Sequence, residues 1–597
     1  MAVAVDLPRL ELDRPFTYRL PEDRAPGTGL LVSVPFHGRT VHGWVLGPTD
    51  DVPARILPVR RVLSAIPLFD ERSLALYRWM SERYVVPLSL VIRRAHPPRV
   101  ATEETGEPVI RAAVPSFAAP AVLPGYDGGG ELLDACRNGG GTFVVRPLPD
   151  DEAAACVEAV GACLAGGRDA VVVVPEAVPV PATARAVVDA GGDAALLYVS
   201  GEKRERYRRW LEVAAGRYRI VVGTRPAVFA PVRSLGLVWI NRDAHPAHRE
   251  ERAPRHHARE VAVARARMEG AVCVLAGLAP GPEAAALADD GVATMVRPSR
   301  QRERGAAPLV ETVPPAEEDR SPRLASLLGS ARGAFLLLSR RGYGVARRCR
   351  VCGSPVRCTV CAGPVAVRKG RVACVVCATE ATCPECGSTS FGVERGGTER
   401  LEEWARQLTR VAVTRVDTGE DATPPAEGTV VVGTAAAVKD FGPRRVPFVA
   451  VLDADRARRR AGLDAPSQAL ATWMEAAAWA GPRRDGGRVL VHTREPSDPA
   501  IQALVRWEPW LLHRAERRRR QEAGFPPGFP LFRVTGRQGL AEQLSSLEPA
   551  HLLTSALGDE TVCLVTLRPD DTARFRDRVV AWAEEGLVTK VEAEPQL

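Results

Sequence analysis

Eight cysteines between Cys349 and Cys386 form four Cys-x-x-Cys pairs, spaced C-x2-C-x5-C-x2-C-x12-C-x2-C-x5-C-x2-C. Each pair presents two thiolates from one tight turn, and two pairs complete a tetrahedral Zn²⁺ shell with Zn–S of about 2.3 Å. Four thiolates leave no position open for water, so such centres are structural rather than catalytic. The spacing reads the same in both directions, which favours nested pairing. Cys349, Cys352, Cys383 and Cys386 are expected to hold one zinc, and Cys358, Cys361, Cys374 and Cys377 a second. Consecutive pairing would force each ion onto a loop of five residues. In a cytosolic chain this grouping favours metal over disulfides, and zinc over an iron–sulfur cluster. Cys136, Cys156, Cys163, Cys273 and Cys563 stand in apolar or Ala-rich surroundings and read as core fillers.

Other chemistry-bearing residues carry less. His245, His248, His256 and His257 lie in an Arg/Glu-rich loop and helix, where a metal site is the weaker reading. Asp453 and Asp455 follow an apolar strand and have the look of a catalytic pair, for which the family resemblance described below implies a structural role instead. Arg340, Arg341, Arg347, Arg348 and Arg350 lead into the cysteines, where a solvated face and a phosphate contact are equally open readings. The run Arg517 to Arg520 fits a solvated helix face as well as a phosphate contact.

The elements that must position these residues follow from the apolar pattern. Residues 1–100 open with short alternating runs (VAVDLP, FTYRL, LLVSVPF, VHGWVLG) between Pro and Gly turns, which predicts a small β-rich domain. Residues 101–140 are rich in Pro, Ala and Gly and read as a linker. From 141 onward, unbroken apolar runs such as DAVVVVPE, YRIVVGT and LGLVWI alternate with helical stretches, predicting buried parallel strands. The alternation resumes beyond the cysteines with GTVVVGT, PFVAVLDAD and GRVLVHT. A length of 597 residues suggests roughly three to five domains. A net charge of +8 leans towards an anionic partner. No apolar window is long enough to span a bilayer and no signal-like start is present, so a cytoplasmic chain with no membrane partner is expected.

SRRGYGVARRCRVCG, the eight-cysteine ladder and CPECGSTSF followed by GGTERLEE resemble the primosomal replication-restart protein PriA (primosomal protein N′) family. IVVGTRPAVFAPVRSLGLV, APRHHAREVAVARAR, LDRPFTYRLPE, VSVPFHGRTVHGWVLG and GFPPGFPLFRV carry the same resemblance. It implies a multidomain α/β chain with two RecA-like helicase lobes. The implied order is a 3′ DNA-end-binding-like domain (1–100), a linker or truncated winged-helix remnant (101–140), lobe 1 (141–330), an inserted two-zinc module (331–395), lobe 2 (396–525) and a small α+β domain (526–597). It also implies a DNA-end pocket, in which Phe16 matches the family's aromatic, Thr17 replaces its acid, and His37-Gly38 form the neighbouring turn.

The family's motor motifs do not carry over. A phosphate loop needs GxxxxGK[ST], whose amides and Lys hold the phosphates while its hydroxyl holds Mg²⁺. The corresponding stretch here is TFVVRPLPDDEAAACV, where Pro147, Pro149, Asp150, Asp151 and Glu152 supply rigidity and negative charge. At the DEEH box stand Asn241, Arg242, Asp243 and Ala244. AGLAPGPE replaces the coupling motif, and MEAAAWAGPRR leaves Arg483 and Arg484 out of frame for an arginine finger. These four losses predict that ATP and Mg²⁺ are not cofactors and that no residue is catalytic or nucleotide-binding.

The expected function is that of a restart factor binding branched and single-stranded DNA at stalled forks and helping to reload the replicative helicase. Single-stranded-DNA-binding protein, primosome proteins and helicase-loading proteins are the partners the resemblance implies. Phe16, Thr17, Gly38, Arg340, Arg341, Arg347 and Arg348 are the candidate DNA contacts. Two alternatives belong to other classes. One is an ATP-dependent 3′→5′ helicase with a non-standard nucleotide site; the other is a structural zinc protein without a DNA role.

Overall fold

The computed structural model describes residues 1–595 except 22–26, 52, 65, 105–109, 114–116, 118–120, 199–200, 316–319, 340–344, 355, 361–364, 369–370, 375–378, 395–396, 417–421 and 444. The chain divides into two compact units, Met1–Ser299 with Gly462–Ser467 and Trp510–Leu597, and Arg300–Ala461 with Gln468–Pro509.

The first unit begins with a six-stranded sheet ordered β5-β2-β1-β4-β3-β6, formed by β1 (Ala2–Val5), β2 (Phe16–Arg19), β3 (Leu31–Phe36), β4 (Arg39–Gly47), β5 (Leu57–Pro58) and β6 (Arg61–Val62). Alternation along β3 and β4 buries Val32, Val34 and Val45 on one side, as a period of two requires. Helices α1 (Glu71–Tyr84) and α2 (Leu88–Ala95) follow, and the Asp70 carboxylate caps α1 by accepting from the Ser73 amide at 2.8 Å.

Lobe 1 is a seven-stranded, all-parallel sheet ordered β13-β7-β12-β11-β8-β10-β9. Its elements are α3 (Gly129–Asn138), β7 (Thr142–Val145), α4 (Glu152–Ala165), β8 (Asp169–Val173), α5 (Ala182–Gly191), β9 (Ala195–Tyr198), α6 (Lys203–Ala214), β10 (Ile220–Gly223), β11 (Leu235–Asn241), α7 (Ala258–Glu269), β12 (Val272–Ala276), α8 (Pro282–Asp289) and β13 (Thr294–Val296). Strands covered on both faces must be apolar throughout, and β8, β10 and β12 are buried at every position. Part of the stretch read as a linker belongs to this lobe. Leu123, Tyr126 and the α3 residues Leu132, Leu133 and Cys136 are buried in its core.

The unit ends with α15 (Trp510–Glu522) and an antiparallel sheet ordered β25-β26-β24-β27, built from β24 (Leu531–Gly536), β25 (His551–Leu557), β26 (Glu560–Thr566) and β27 (Val588–Ala593) with α16 (Leu540–Ser545) and α17 (Thr572–Glu584). Residues 510–525, expected in lobe 2, therefore group with the first unit. One apolar cluster runs from Trp44, Tyr77 and Ile92 through Val171 and Val221 to Phe532, Phe575 and Trp582. Each such aromatic contributes about 1.5–3 kcal/mol by burial, so the terminal domains and one face of lobe 1 share a core.

The second unit carries lobe 2, a parallel sheet ordered β14-β23-β22-β15-β21-β20. It contains α9 (Arg300–Ala306), β14 (Leu309–Val313), α10 (Pro322–Ser330), β15 (Ala334–Leu337), α11 (Gly397–Leu408), β20 (Ala412–Val416), β21 (Thr429–Gly433), β22 (Phe448–Val451), α12 (Ala454–Arg458), most of α13 (Ala465–Ala478), β23 (Arg488–His492) and α14 (Pro499–Val505). Residues 309–330, expected in lobe 1, instead supply this sheet's edge strand and a covering helix, because β14 pairs with β23. The cysteine module is inserted between β15 and α11 as a four-stranded sheet, β18-β17-β16-β19, of β16 (Val345–Cys349), β17 (Val365–Arg368), β18 (Arg371–Cys374) and β19 (Phe391–Glu394).

Candidate functional site

The outer cysteine pairs meet. Sγ of Cys349 lies 3.5 Å from that of Cys386, and Sγ of Cys352 lies 3.5 Å from that of Cys383. All four sulfurs fall within 4.8 Å of one another. A tetrahedral zinc thiolate has sulfur–sulfur edges of about 3.8 Å, so this donor set fits Zn²⁺. The knuckle amides aim at sulfur: Val351 N–H donates to Cys349 Sγ at 3.4 Å, and the Cys352 and Val351 amides hold the Cys349 thiol below its ordinary value. Hydrogen bonds from Ser354 lower the Cys352 thiol to about 6, while Cys386 in the same cluster is raised. The four outer cysteines thus form one group that could hold a metal ion. Of the inner set, Cys358 and Cys374 are buried, and Val360 N–H donates to Cys358 Sγ at 3.4 Å. Cys361 and Cys377 lie outside the described residues. Among the described residues, Val356, Val365, Ala381 and Phe391 pack with the cysteines Cys349, Cys358, Cys374 and Cys383 in the module's apolar cluster.

The second place to look for chemistry is the carboxyl edge of the lobe 1 sheet, where open α/β folds bind ligands. Helix α4 starts there, directly after β7, and a helix N-terminus attracts anions through its free amides and dipole. The anion at this one is internal. Glu152, the first residue of α4, accepts from Arg242 Nε at 3.0 Å and Arg242 Nη2 at 3.1 Å, and from Asn241 Nδ2 at 3.3 Å. Both ion-pair side chains are about nine-tenths buried, at 8% and 10% exposure. Asn241 and Arg242 stand at the end of β11, and Arg242 adopts a left-handed φ of 54°. The preceding loop is closed as well. Tyr126 Oη donates to Asp151 at 2.8 Å and accepts from the Leu148 amide at 2.8 Å. Arg146 is fully buried and donates through Nε to the Leu278 carbonyl at 3.0 Å.

A second ionic chain continues along this edge. Asp243 accepts from the Gly281 amide at 3.0 Å and from Arg259 Nη1 at 3.1 Å, and Arg259 Nη2 pairs with Glu283 at 2.5 Å. Burial raises the Asp243 carboxyl above its usual range despite the opposing Arg259 charge. Asp243 is thus committed to AGLAPGPE, the segment in place of the coupling motif. The histidines are interior. His248 Nε2 is 2.8 Å from the Asn241 carbonyl, His257 Nδ1 accepts from the Arg259 amide at 3.1 Å, and His256 packs on Phe229 with ring centres 5.4 Å apart. His245 is half-buried and faces Glu176 at 3.6 Å. Burial lowers His248 and His256 to about 4. In lobe 2, Asp453 accepts from the Ser339 amide at 2.9 Å, while Asp455 accepts from Thr493 Oγ1 at 2.6 Å and the Arg494 amide at 2.8 Å. Both acids tie loops together.

At the N-terminal sheet, Phe16 is half-buried and meets Phe36 edge-on at 5.0 Å, with Arg14 over its other side at 5.4 Å. Phe36 in turn meets His37 at 4.5 Å. His37 (φ 44°) and Gly38 (φ 75°) form the two-residue turn joining β3 to β4, where both central positions need positive φ. Thr17 Oγ1 donates to the Asp51 carbonyl at 2.9 Å. Arg340 and Arg341 lie outside the described residues, and Arg347 and Arg348 lie on β16 in the second unit.

Residues 2–97 match the 3′DNA-binding domain (3′BD) of PriA. The probable replication restart protein PriA of Mycobacterium leprae (strain TN) is 32% identical over 579 residues, spanning 91% of this chain and 88% of that protein. Replication restart protein PriA of Treponema pallidum (strain Nichols) is 27% identical over 588 residues, spanning 91% and 88%. That of Bacillus subtilis (strain 168) is 27% identical over 450 residues, spanning 70% and 55%. No helix among the described residues is long and apolar enough to cross a membrane. With a 3′DNA-binding domain at its head, parallel α/β lobes and a cysteine cluster that can hold a metal ion, this chain belongs to the PriA replication restart family.

Proposed function

We propose that this chain is a restart factor that binds branched and single-stranded DNA at stalled forks and supports primosome assembly and helicase reloading without hydrolysing ATP. The observation that carries the non-hydrolytic part is the buried Glu152–Arg242 pair at the head of α4. A phosphate there would have to displace a bidentate carboxylate already held by a guanidinium, leaving a charge unpaired in a dry site. Asn241 and Arg242 also supply no carboxylate to hold Mg²⁺ or orient water.

DNA affinity in this reading comes from Lys and Arg contacts to phosphates, and recognition from fork shape and the strand end. The N-terminal 3′DNA-binding domain, residues 2–97, supports the end-binding part. Two Zn²⁺ ions, one on Cys349, Cys352, Cys383 and Cys386 and one on Cys358, Cys361, Cys374 and Cys377, hold the inserted module. Single-stranded-DNA-binding protein and helicase-loading proteins are its proposed partners. The chain works in the cytoplasm, at the nucleoid.

The test is a fork-binding titration with and without ATP and Mg²⁺, on protein of measured zinc content. Fork binding that weakens with salt and ignores ATP is expected. Binding that tightens or releases with ATP contradicts the reading.

A further inference from the structure

Helix α6 carries its charge in an arrangement that works against its own stability. It reads KRERYRRWLEVA, with Lys203, Arg204, Arg206, Arg208 and Arg209 inside its first seven positions. Cations near a helix N-terminus oppose the macrodipole, and Lys203 and Arg204 occupy the first turn while the last turn has no basic residue. Arg204 and Arg208 are also spaced i,i+4, which sets like charges on one exposed face. The opposite face is fixed by burial of Tyr207, Trp210 and Val213.

The helix acids relieve only part of this charge. Glu205 pairs with Arg209, and Arg204 reaches Glu103. Glu212 and the N-cap Glu202 are the other nearby carboxylates. Lys203 and Arg208 are exposed and have no ion-pair partner among the described residues. The neighbouring element adds to the patch. His96, next after α2, lies 6.2 Å from Trp210 between ring centres and 6.3 Å from Trp44 of β4. This joint seats the end of α2 beside α6, and Arg94 of α2 is exposed and likewise unpaired among the described residues. Arg93 beside it is neutralised by Asp6.

We infer that Arg94, Lys203 and Arg208 form a phosphate-binding strip that carries DNA from the strand-end domain onto lobe 1. The occupant is a DNA backbone, because the strip offers exposed cations with no ion-pair partner among the described residues, beside a 3′DNA-binding domain, and no exposed apolar anchor on α6. A polyanion offsets the electrostatic cost that the helix bears alone. The inference rests on the DNA-binding reading above and adds a path to it.

The test uses the full-length chain and a forked duplex over a salt series, comparing it with an Arg94→Gln/Lys203→Gln/Arg208→Gln variant. The slope of log Kobs against log salt is expected to become shallower by roughly two to three, at about 0.9 per lost phosphate contact. The melting temperature is expected to stay level or rise, because unfavourable first-turn charge has been removed. The charge-conserving variant Arg94→Lys/Lys203→Arg/Arg208→Lys should keep the original slope. An unchanged slope in the Gln variant, or equal loss of binding in the charge-conserving variant, overturns the strip while leaving fork binding itself in place. No fork binding by the unsubstituted chain overturns both.

Discussion

Glu152 and Arg242 stand 90 positions apart in the chain and meet as a buried bidentate ion pair at the head of α4. The helix dipole and the guanidinium favour the same carboxylate, so the charge that a helix N-terminus offers an incoming phosphate is already answered from within. A pair of this kind is costly to break on one side. Glu152→Gln or Arg242→Gln is expected to lower unfolding stability by about 3–5 kcal/mol, since each strands the other charge in a dry site. Replacing both with apolar residues of similar volume should cost far less than the two single changes summed. A double-mutant cycle in urea checks this, and additive losses would show that the pair is not coupled.

The nested cysteine pairing makes a stoichiometric prediction. Wild-type protein should carry two zinc ions per chain, and Cys349→Ser/Cys383→Ser should lose one while keeping the other. Consecutive pairing would instead make this variant lose both, because Cys349 and Cys383 would then serve different ions. Metal analysis after chelation and reloading separates the two patterns.

The buried imidazoles predict acid lability. Burial lowers His96, His248, His256, His492 and His513 to about 4 in the fold. An unfolded imidazole titrates at about 6.5, so the unfolded state binds more protons between these values. The stability they contribute is therefore complete above pH 6.5 and is lost as pH falls towards 4. Melting temperature should be level above about pH 7 and decline through that window. His256→Gln should shallow the decline, and an unchanged slope would show that this ring does not titrate on unfolding.

At the strand-end domain, the Thr17 hydroxyl is already donated to the Asp51 carbonyl, whereas the Phe16 ring keeps exposed area beside Phe36. Phe16→Ala should weaken binding of a 3′-ended strand by about 1–3 kcal/mol, the usual worth of one base stacked on an aromatic. Thr17→Val should leave it within about twofold, a difference of only a few tenths of a kcal/mol. Fluorescence titration with a recessed and a blunt duplex measures both, and a larger loss in Thr17→Val would make the hydroxyl a DNA contact.

Much of the fold is legible in the residues themselves. Cysteine spacing pointed to the four outer cysteines that the fold gathers into one cluster, and unbroken apolar runs such as DAVVV and VCVLA pointed to parallel strands, because strands covered on both faces have nowhere to put polar residues. Asp453 and Asp455 read as structural, and they hold Ser339, Thr493 and Arg494. Other features were hidden for identifiable reasons. Helix α3 lies in a Gly-rich stretch whose composition resembles a linker, yet Leu132, Leu133 and Cys136 bury its inner face. Strand β14 is separated from its partner β23 by the rest of lobe 2, and sequence order gave no sign of that pairing. Glu152 read as a charge that repels phosphate. That it is also the partner of Arg242 depends on β7 and β11 ending at one sheet edge, which only the tertiary register sets.

In the function proposed, lobe 1 does not turn over nucleotide. DNA-stimulated ATP hydrolysis by the full-length, zinc-loaded chain on forked and single-stranded DNA measures this. No phosphate release above background is expected, with or without DNA. DNA-stimulated turnover that disappears on substituting Arg242 or Asp243 would contradict it.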